Sequence, residues 1–296
     1  MAQKFGKYRL HDCINQGGIT EIWLATDEYE NVVAVRRLRR RVLKQSNAPK
    51  LFKAGLSVMR KLAPHPNIVR YINHGKADGL PFMVLEFIQG ANLKELLLRD
   101  HDHLVDNVAD VIIQAADGIN HLHDHGWMHL DIKPENLMIS LNGHVSLLDF
   151  DTAQKIPRKP KQFSRSSGTP SCMPPEQLKN EKIDQRADIY AFGATVYELL
   201  THRKPFGGHT PDEAIRNQLN ENFPVKPPCR VNSDVPAALS QLILRCLAHS
   251  PDQRYPNMTI LNAQLHTILG VQQMPIIPNG PNGIPEAMGV PTAIPA

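Results

Sequence analysis

The stretch WMHLDIKPENLMI, Trp127 to Ile139, constrains this chain more than any other. It sets Asp131, Lys133 and Asn136 into an otherwise apolar run. Spacings of two and then three residues are too short for one helix face and too regular for an arbitrary loop. The sequence on its two sides differs in kind. Before it, YRLHDCINQGG, EIWLATDE, NVVAVRRL, IVRYINHG and PFMVLEFI carry β-branched and apolar residues between turn signals such as Gly17-Gly18 and Glu30-Asn31. One helix interrupts these strands, with Leu51, Phe52, Gly55, Leu56, Met59 and Leu62 at helical spacing. From Asn92 onward the chain reads as mainly helical, most clearly over Asp106–His125 and Ile189–Leu200. A chain of 296 residues with this division predicts an α+β fold in two lobes.

Several classes are disfavoured. No segment resembles a signal peptide, and no run approaches the roughly 18 apolar residues of a membrane span. Cys13, Cys172, Cys229 and Cys246 have no metal-ligand or redox spacing, so reduced thiols in a cytoplasmic protein are expected. Net charge is +4 but unevenly placed: residues 1–85 carry 15 Lys/Arg against 6 Asp/Glu, and the remainder 18 against 23. The basic excess peaks in RRLRRRVLK (Arg36–Lys44), a run expected to lie on a solvated face or to meet phosphates or an acidic partner. It has too few aromatics for a single-stranded nucleic-acid surface, and no specific nucleic-acid partner is expected. The histidines His101, His103, His121, His123 and His125 read as surface residues. After Leu269 the composition shifts to a segment rich in proline and glycine, and residues 270–296 are expected to form a flexible linker or tail in a longer protein.

The motifs now fall in order. HLDIKPEN (His129–Asn136) is followed by LLDFD (Leu147–Asp151), GTPSCMPPE (Gly168–Glu176), DIYAFG (Asp188–Gly193) and SPDQR with Arg254. HPNIV (His65–Val69) and VLEFIQGANL lie upstream. Together they resemble the eukaryotic-like (Hanks-type) serine/threonine protein kinase family over about Tyr8–Leu269. The resemblance implies a two-lobed kinase fold: a small β-rich N-lobe with one main helix (about 8–85) and a larger, mainly helical C-lobe (about 89–269). It implies that Asp131 accepts the substrate hydroxyl's proton and that Lys133 steadies the transferred phosphoryl group. Asn136 and Asp149 would hold Mg2+. Lysine two places after the aspartate is the serine/threonine type. ATP would meet Ile14, Gly17, Ile22, Ala34, Arg36, Leu85, Glu86, Ile88, Met138 and Leu148, with Leu85 as gatekeeper and Glu86–Ile88 as hinge. Met59, Tyr71, His129 and Phe150 match the stacked column linking the lobes, and Asp188, Glu176 and Arg254 match scaffold positions.

Departures fall on nucleotide-handling positions. Val33-Ala34-Val35-Arg36 has arginine where the family has lysine, and a planar fork is not equivalent to a point charge. The helix acid that fixes that lysine aligns at or near Gly55, and residues 31–77 contain no Asp or Glu in any register. The glycine loop is reduced to Asn15-Gln16-Gly17-Gly18-Ile19-Thr20, and Asp151 replaces the glycine of D-F-G. Leu130 replaces the arginine that usually receives an activation-segment phosphate. These changes predict a pseudokinase or strongly impaired kinase in signalling. It would act through protein partners and bind ATP and Mg2+ weakly, if it binds nucleotide at all. The alternatives are an active serine/threonine kinase with an atypical small-lobe site, or a nucleotide-binding structural switch. Arg36 is expected to turn toward Asp149 or Asp151. The activation segment Asp149–Glu176, crowded with like charges, is expected to be mobile or oddly placed. Restoring the usual pair by Arg36→Lys with Gly55→Glu is expected to raise metal-dependent ATP affinity.

Overall fold

The computed structural model describes residues 3–44, 47–99, 108–163 and 170–270. The tail 271–296, His101, His103 and residues 164–169 of the activation segment, with Ser164, Arg165, Ser166, Ser167 and Thr169, lie outside the described residues. The fold is α+β, in two lobes.

The small lobe is an antiparallel sheet of six strands: β1 (Gln3–Phe5), β2 (Tyr8–Gln16), β3 (Thr20–Thr26), β4 (Val32–Leu38), β5 (Tyr71–Ala77) and β6 (Leu80–Glu86). Its order is β1-β2-β3-β4-β6-β5. The strand periodicity of two divides β4 cleanly. Val33 and Val35 pack with Phe5, Tyr8, Leu10 and Phe82 on the outer face, which leaves Ala34, Arg36 and Leu38 on the other. Helix α1 (Ala48–Met59) covers that second face, with Phe52 packed among Leu38, Val42 and Met83. Gly55 is buried in the middle of α1. Glycine there costs about 1 kcal/mol relative to alanine, so its smallness needs a packing reason, which the cleft supplies.

The chain crosses to the large lobe between Glu86 and Gly90, then runs through β7 (Gly90–Asn92), α2 (Leu93–Arg99), α3 (Val108–Asp124) and β8 (Trp127–Met128). Strands β9 (Leu137–Ser140), β10 (Val145–Leu147) and β11 (Gln154–Lys155) follow, then α4 (Pro175–Leu178) and α5 (Arg186–Thr201). The lobe closes with α6 (Pro211–Leu219), α7 (Pro228–Val231), α8 (Ala237–Cys246) and α9 (Met258–Leu269). Helix α5 is buried all round from Ala187 to Thr201, including Asp188 and Glu198, and the largest core cluster forms about it. Among the described residues no helix is long and apolar enough to cross a membrane.

One ion pair ties the lobe's periphery to its centre. Arg254 donates to both carboxylate oxygens of Glu176, at 2.7 and 2.8 Å. Its remaining donors go to the carbonyls of Ala248, His249 and Arg186. The guanidinium lies over Tyr190 and is 2% exposed.

The basic run is only partly solvated. Arg40, Arg41 and Lys44 are exposed, whereas Arg36 and Arg37 are buried. Arg37 pairs with Glu21 at 2.7 Å and packs on Phe5 and Trp23. Arg39 donates to the Gly17 carbonyl and Arg40 to that of Asp78. Three of the charges, Arg37, Arg39 and Arg40, thus hold the small lobe together.

Candidate active site

The segment His129–Asn136 is shaped from beneath by Asp188 at the start of α5. This carboxylate, 0% exposed, accepts from the His129 amide at 2.7 Å, the Leu130 amide at 2.8 Å and His123 Nε2 at 2.8 Å. Burial pushes the Asp188 carboxyl up, but the His123 hydrogen bond and the other donors outweigh it and hold the group below the usual carboxylate range. Leu130 takes φ 62°, a left-handed value unusual for a branched side chain, and the hydrogen bonds from its own amide and that of His129 to Asp188 hold it there. His123 is therefore not a surface residue. It falls on the inward stripe of α3 with Ala116 and Ile119, at helical spacing.

On this platform Asp131, Lys133 and Asn136 converge. Lys133 Nζ donates to Asp131 Oδ2 at 2.7 Å, and Asn136 Nδ2 reaches the Asp131 carbonyl at 2.8 Å and Oδ2 at 3.1 Å. Asp131 keeps its other oxygen, Oδ1, without a hydrogen-bond partner among the described residues. His129 donates from Nε2 to the Leu148 carbonyl and meets Phe150 edge-on at 5.2 Å between centroids. Met59 and Phe150 belong to one apolar cluster, with Tyr71 packed against it.

Asp149 also takes a positive φ, 56°. Its Oδ1 accepts from Arg36 Nη2 at 3.1 Å and from the Asp151 amide at 3.3 Å. Its Oδ2 has no partner among the described residues, and the side chain is 40% exposed. Burial against the segment pushes the Asp149 carboxyl up, but Arg36 outweighs it and holds the group below the ordinary range. Asn136 uses its amide nitrogen on Asp131, which leaves its oxygen available. Two oxygens from a carboxylate and an amide suit magnesium, whose remaining ligands are commonly phosphates and water. Among the described residues no cluster of three or more His, Cys, Asp or Glu side chains forms a metal site by itself.

Arg36 turns, as expected, toward both aspartates. Its main partner is Asp151: Nη1 to Oδ1 at 2.8 Å and Nη2 to Oδ2 at 2.7 Å, both side chains buried. The Phe52 ring lies 5.8 Å from the guanidinium carbon. Gly55 of α1 sits directly against this pair. A Cβ there would come within 2.3 Å of Asp151 Oδ1 and 3.1 Å of its backbone nitrogen. In the expected repair by Arg36→Lys with Gly55→Glu, a side chain at 55 must therefore displace the Asp151 carboxylate from its present position.

The apolar positions flank the cleft as their strands dictate. Ala34 on β4 pairs with Leu85 on β6, and Ile22 on β3 pairs with Arg36. Met138 lies on β9, Leu148 directly after β10, and Ile88 in the lobe crossing, all partly buried. Ile14 is 49% exposed at the outer part of β2, beyond a register shift. Gly17 closes the β2–β3 turn, its amide bonded to the Thr20 carbonyl, and neither Gly17 nor Gly18 has a positive φ. Glu86 accepts from the Arg70 amide at 2.7 Å.

The described part of the activation segment is tied to the large lobe by backbone bonds. β11 pairs with β8, the Ile156 amide bonds to Gly126, and Lys161 and Ile183 exchange backbone bonds. Leu130 packs with Met128, Ile183 and Ala187, and Ile156 and Phe163 cover them. An apolar clasp thus occupies the place where a charged side chain would face a phosphate. Leu130→Ala opens a cavity in this clasp, a change that costs about 2–5 kcal/mol at well-packed sites. We expect amide exchange at Ile156 and Lys161 to speed up by at least about tenfold. Unchanged exchange would show that the clasp does not hold the segment.

Comparison with known proteins adds to this geometry. Residues 8–266 match the description "Protein kinase domain". The chain is 32% identical over 267 residues to "Serine/threonine-protein kinase PknB" of Mycolicibacterium smegmatis, covering 88% of this chain and 42% of that protein. It is 31% identical over 286 residues to "Tyrosine-protein kinase MasK" of Myxococcus xanthus, covering 91% of this chain and 44% of that one. A "Probable serine/threonine-protein kinase PknB" of Corynebacterium glutamicum is 30% identical over 270 residues, with 88% and 42% covered. The chain thus spans less than half the length of these relatives.

Proposed function

The chain belongs to the Hanks-type protein kinase family, and from that premise we propose that it is a serine/threonine-type phosphotransferase of strongly reduced rate, acting on cytoplasmic proteins. One observation carries this reading. The large-lobe group Asp131–Lys133–Asn136 is assembled, while Arg36, at the lysine position, is fully engaged with Asp151 and Asp149.

ATP enters the cleft with its adenine between Ala34, Ile22 and Ile14 above and Met138 and Leu148 below, against Leu85 and the Glu86–Ile88 backbone. Asp131 accepts the proton of a serine or threonine hydroxyl as its oxygen bonds to the γ-phosphorus and the bond to ADP breaks. Lys133, held by Asp131, offsets charge on the moving group. Asn136 and Asp149 would hold magnesium, which supplies charge neutralisation at the phosphates. The small lobe contributes less than usual. The Gly17 turn is narrow in glycine, and the phosphates must compete with two carboxylates for Arg36. Losing one preorganised charge contact costs about 10²- to 10³-fold.

The 3.1 Å contact of Arg36 on Asp149 also favours a second reading, a pseudokinase that works through partner contacts. A transfer assay with γ-labelled ATP and a mixed serine/threonine substrate protein, run beside ATP binding with magnesium and with chelator, separates the two. We expect metal-dependent binding and a rate about 10²- to 10³-fold below the roughly 1–100 s⁻¹ of ordinary kinases. A rate within that ordinary range overturns the impaired-kinase reading. Binding without any transfer leaves the pseudokinase.

A further inference from the structure

We propose that Asp151 is the positioning residue for Arg36, standing in for the acid that the small-lobe helix lacks and keeping Arg36 from closing on Asp149. The inference rests on the reading that this cleft takes ATP with magnesium, but it concerns binding and not transfer.

Four observations meet at this point. No acid exists between residues 31 and 77, so α1 cannot supply a partner for the β4 cation. Arg36 is buried, and a buried guanidinium requires a paired carboxylate. Asp151 gives it two short parallel bonds, at 2.8 and 2.7 Å, whereas Asp149 receives a single bond at 3.1 Å. Finally, Gly55 leaves the space that the Asp151 carboxylate fills, since a Cβ at 55 would lie 2.3 Å from Oδ1. The three residues form one exchangeable unit: a long planar cation on β4, an empty position on α1, and an acid two residues beyond Asp149.

The consequence runs against the usual reading of an acid at position 151. An extra carboxylate beside a metal site would simply repel phosphates if its charge were free. Here the charge is directed into the guanidinium. The bidentate geometry fixes the plane of Arg36, so only one of its nitrogens reaches Asp149, and that aspartate keeps Oδ2 open. Without Asp151 the guanidinium has one acid left within reach, and the favoured geometry between an arginine and a carboxylate is the bidentate one. That arrangement would occupy both oxygens of Asp149. Asp151→Gly, which restores the glycine usual in the family, should therefore weaken metal-dependent nucleotide binding.

The test titrates the 296-residue chain with a fluorescent ATP analogue, in excess magnesium and in chelator. Thermal melting reports folding in parallel. For Asp151→Gly we expect magnesium-dependent affinity to fall by at least about tenfold, with little change in the chelator arm. Asp151→Asn, nearly the same shape and able to accept from one guanidinium nitrogen, should fall by less. It also serves as the readout if Asp151→Gly does not fold. The triple exchange Arg36→Lys, Gly55→Glu, Asp151→Gly should regain magnesium-dependent affinity. Arg36→Lys with Gly55→Glu alone should not, because the two acids overlap. Equal or tighter magnesium-dependent binding by Asp151→Gly, or by Asp151→Asn where only that variant folds, overturns the proposal. So does failure of the triple exchange to recover binding in a folded protein. A wild-type chain that binds ATP with magnesium yet never transfers phosphate overturns the slow-kinase reading and leaves this inference standing.

Discussion

An Asp131→Asn chain should transfer phosphate about 10³-fold more slowly than the unaltered protein, within the range expected when a positioned proton acceptor is lost. The exchange is nearly isosteric. The amide oxygen of the variant can still accept from Lys133 Nζ and Asn136 Nδ2, which lie 2.7 and 3.1 Å from Oδ2 of Asp131, so the local network persists. What disappears is the basicity of the oxygen without a protein partner. Binding of ATP with magnesium should stay within about threefold, because Asp131 touches neither the adenine positions nor the proposed metal oxygens. The loss then sits in the rate alone, the signature of an interaction made only during reaction. Single-turnover transfer of a γ-labelled phosphate measures it even when the parent rate is low. A variant that keeps the parent rate would remove Asp131 from the chemistry.

Arg254→Met should lower the melting temperature by about 10 °C. Breaking a buried ion pair from one side costs roughly 3–5 kcal/mol, and for a domain of this size each kcal/mol is worth about 2–4 °C. The cost here is at the upper end for a structural reason. Arg254 satisfies Glu176 and also the carbonyls of Ala248, His249 and Arg186, all of which would be left without that donor. Glu176→Gln should cost less, since the arginine keeps its three carbonyl partners. The double variant Arg254→Met with Glu176→Leu should recover part of the loss, as no isolated charge remains. Differential scanning calorimetry of the three variants distinguishes a charge effect from a packing effect. Equal losses in all three would mean that packing around Tyr190 dominates.

Much of this is legible in the sequence. The strand periodicity locates β2 to β6, and the acid-free stretch from 31 to 77 establishes that Arg36 has to look elsewhere for a partner. What escapes are relations between distant positions. His123 reads as a surface residue because five histidines cluster in the text, although its spacing from Ala116 and Ile119 already puts it on the inward stripe of α3. The clasp around Leu130 joins residues from three separate stretches, 128–130, 156–163 and 183–187, and no local pattern marks them as neighbours. The basic run looks solvated because charge density says nothing about which side of a strand each arginine faces. Nor can alignment alone reveal that positions 55 and 151 share one volume.

That shared volume couples the two positions energetically. A Cβ at 55 would approach Asp151 Oδ1 to 2.3 Å, so a helix acid there requires the Asp151 carboxylate to leave its place beside Arg36. Removing Asp151 in turn leaves Arg36 to Asp149. Substitutions at 55 and 151 should therefore be non-additive, and a double-mutant cycle between them reads the coupling directly.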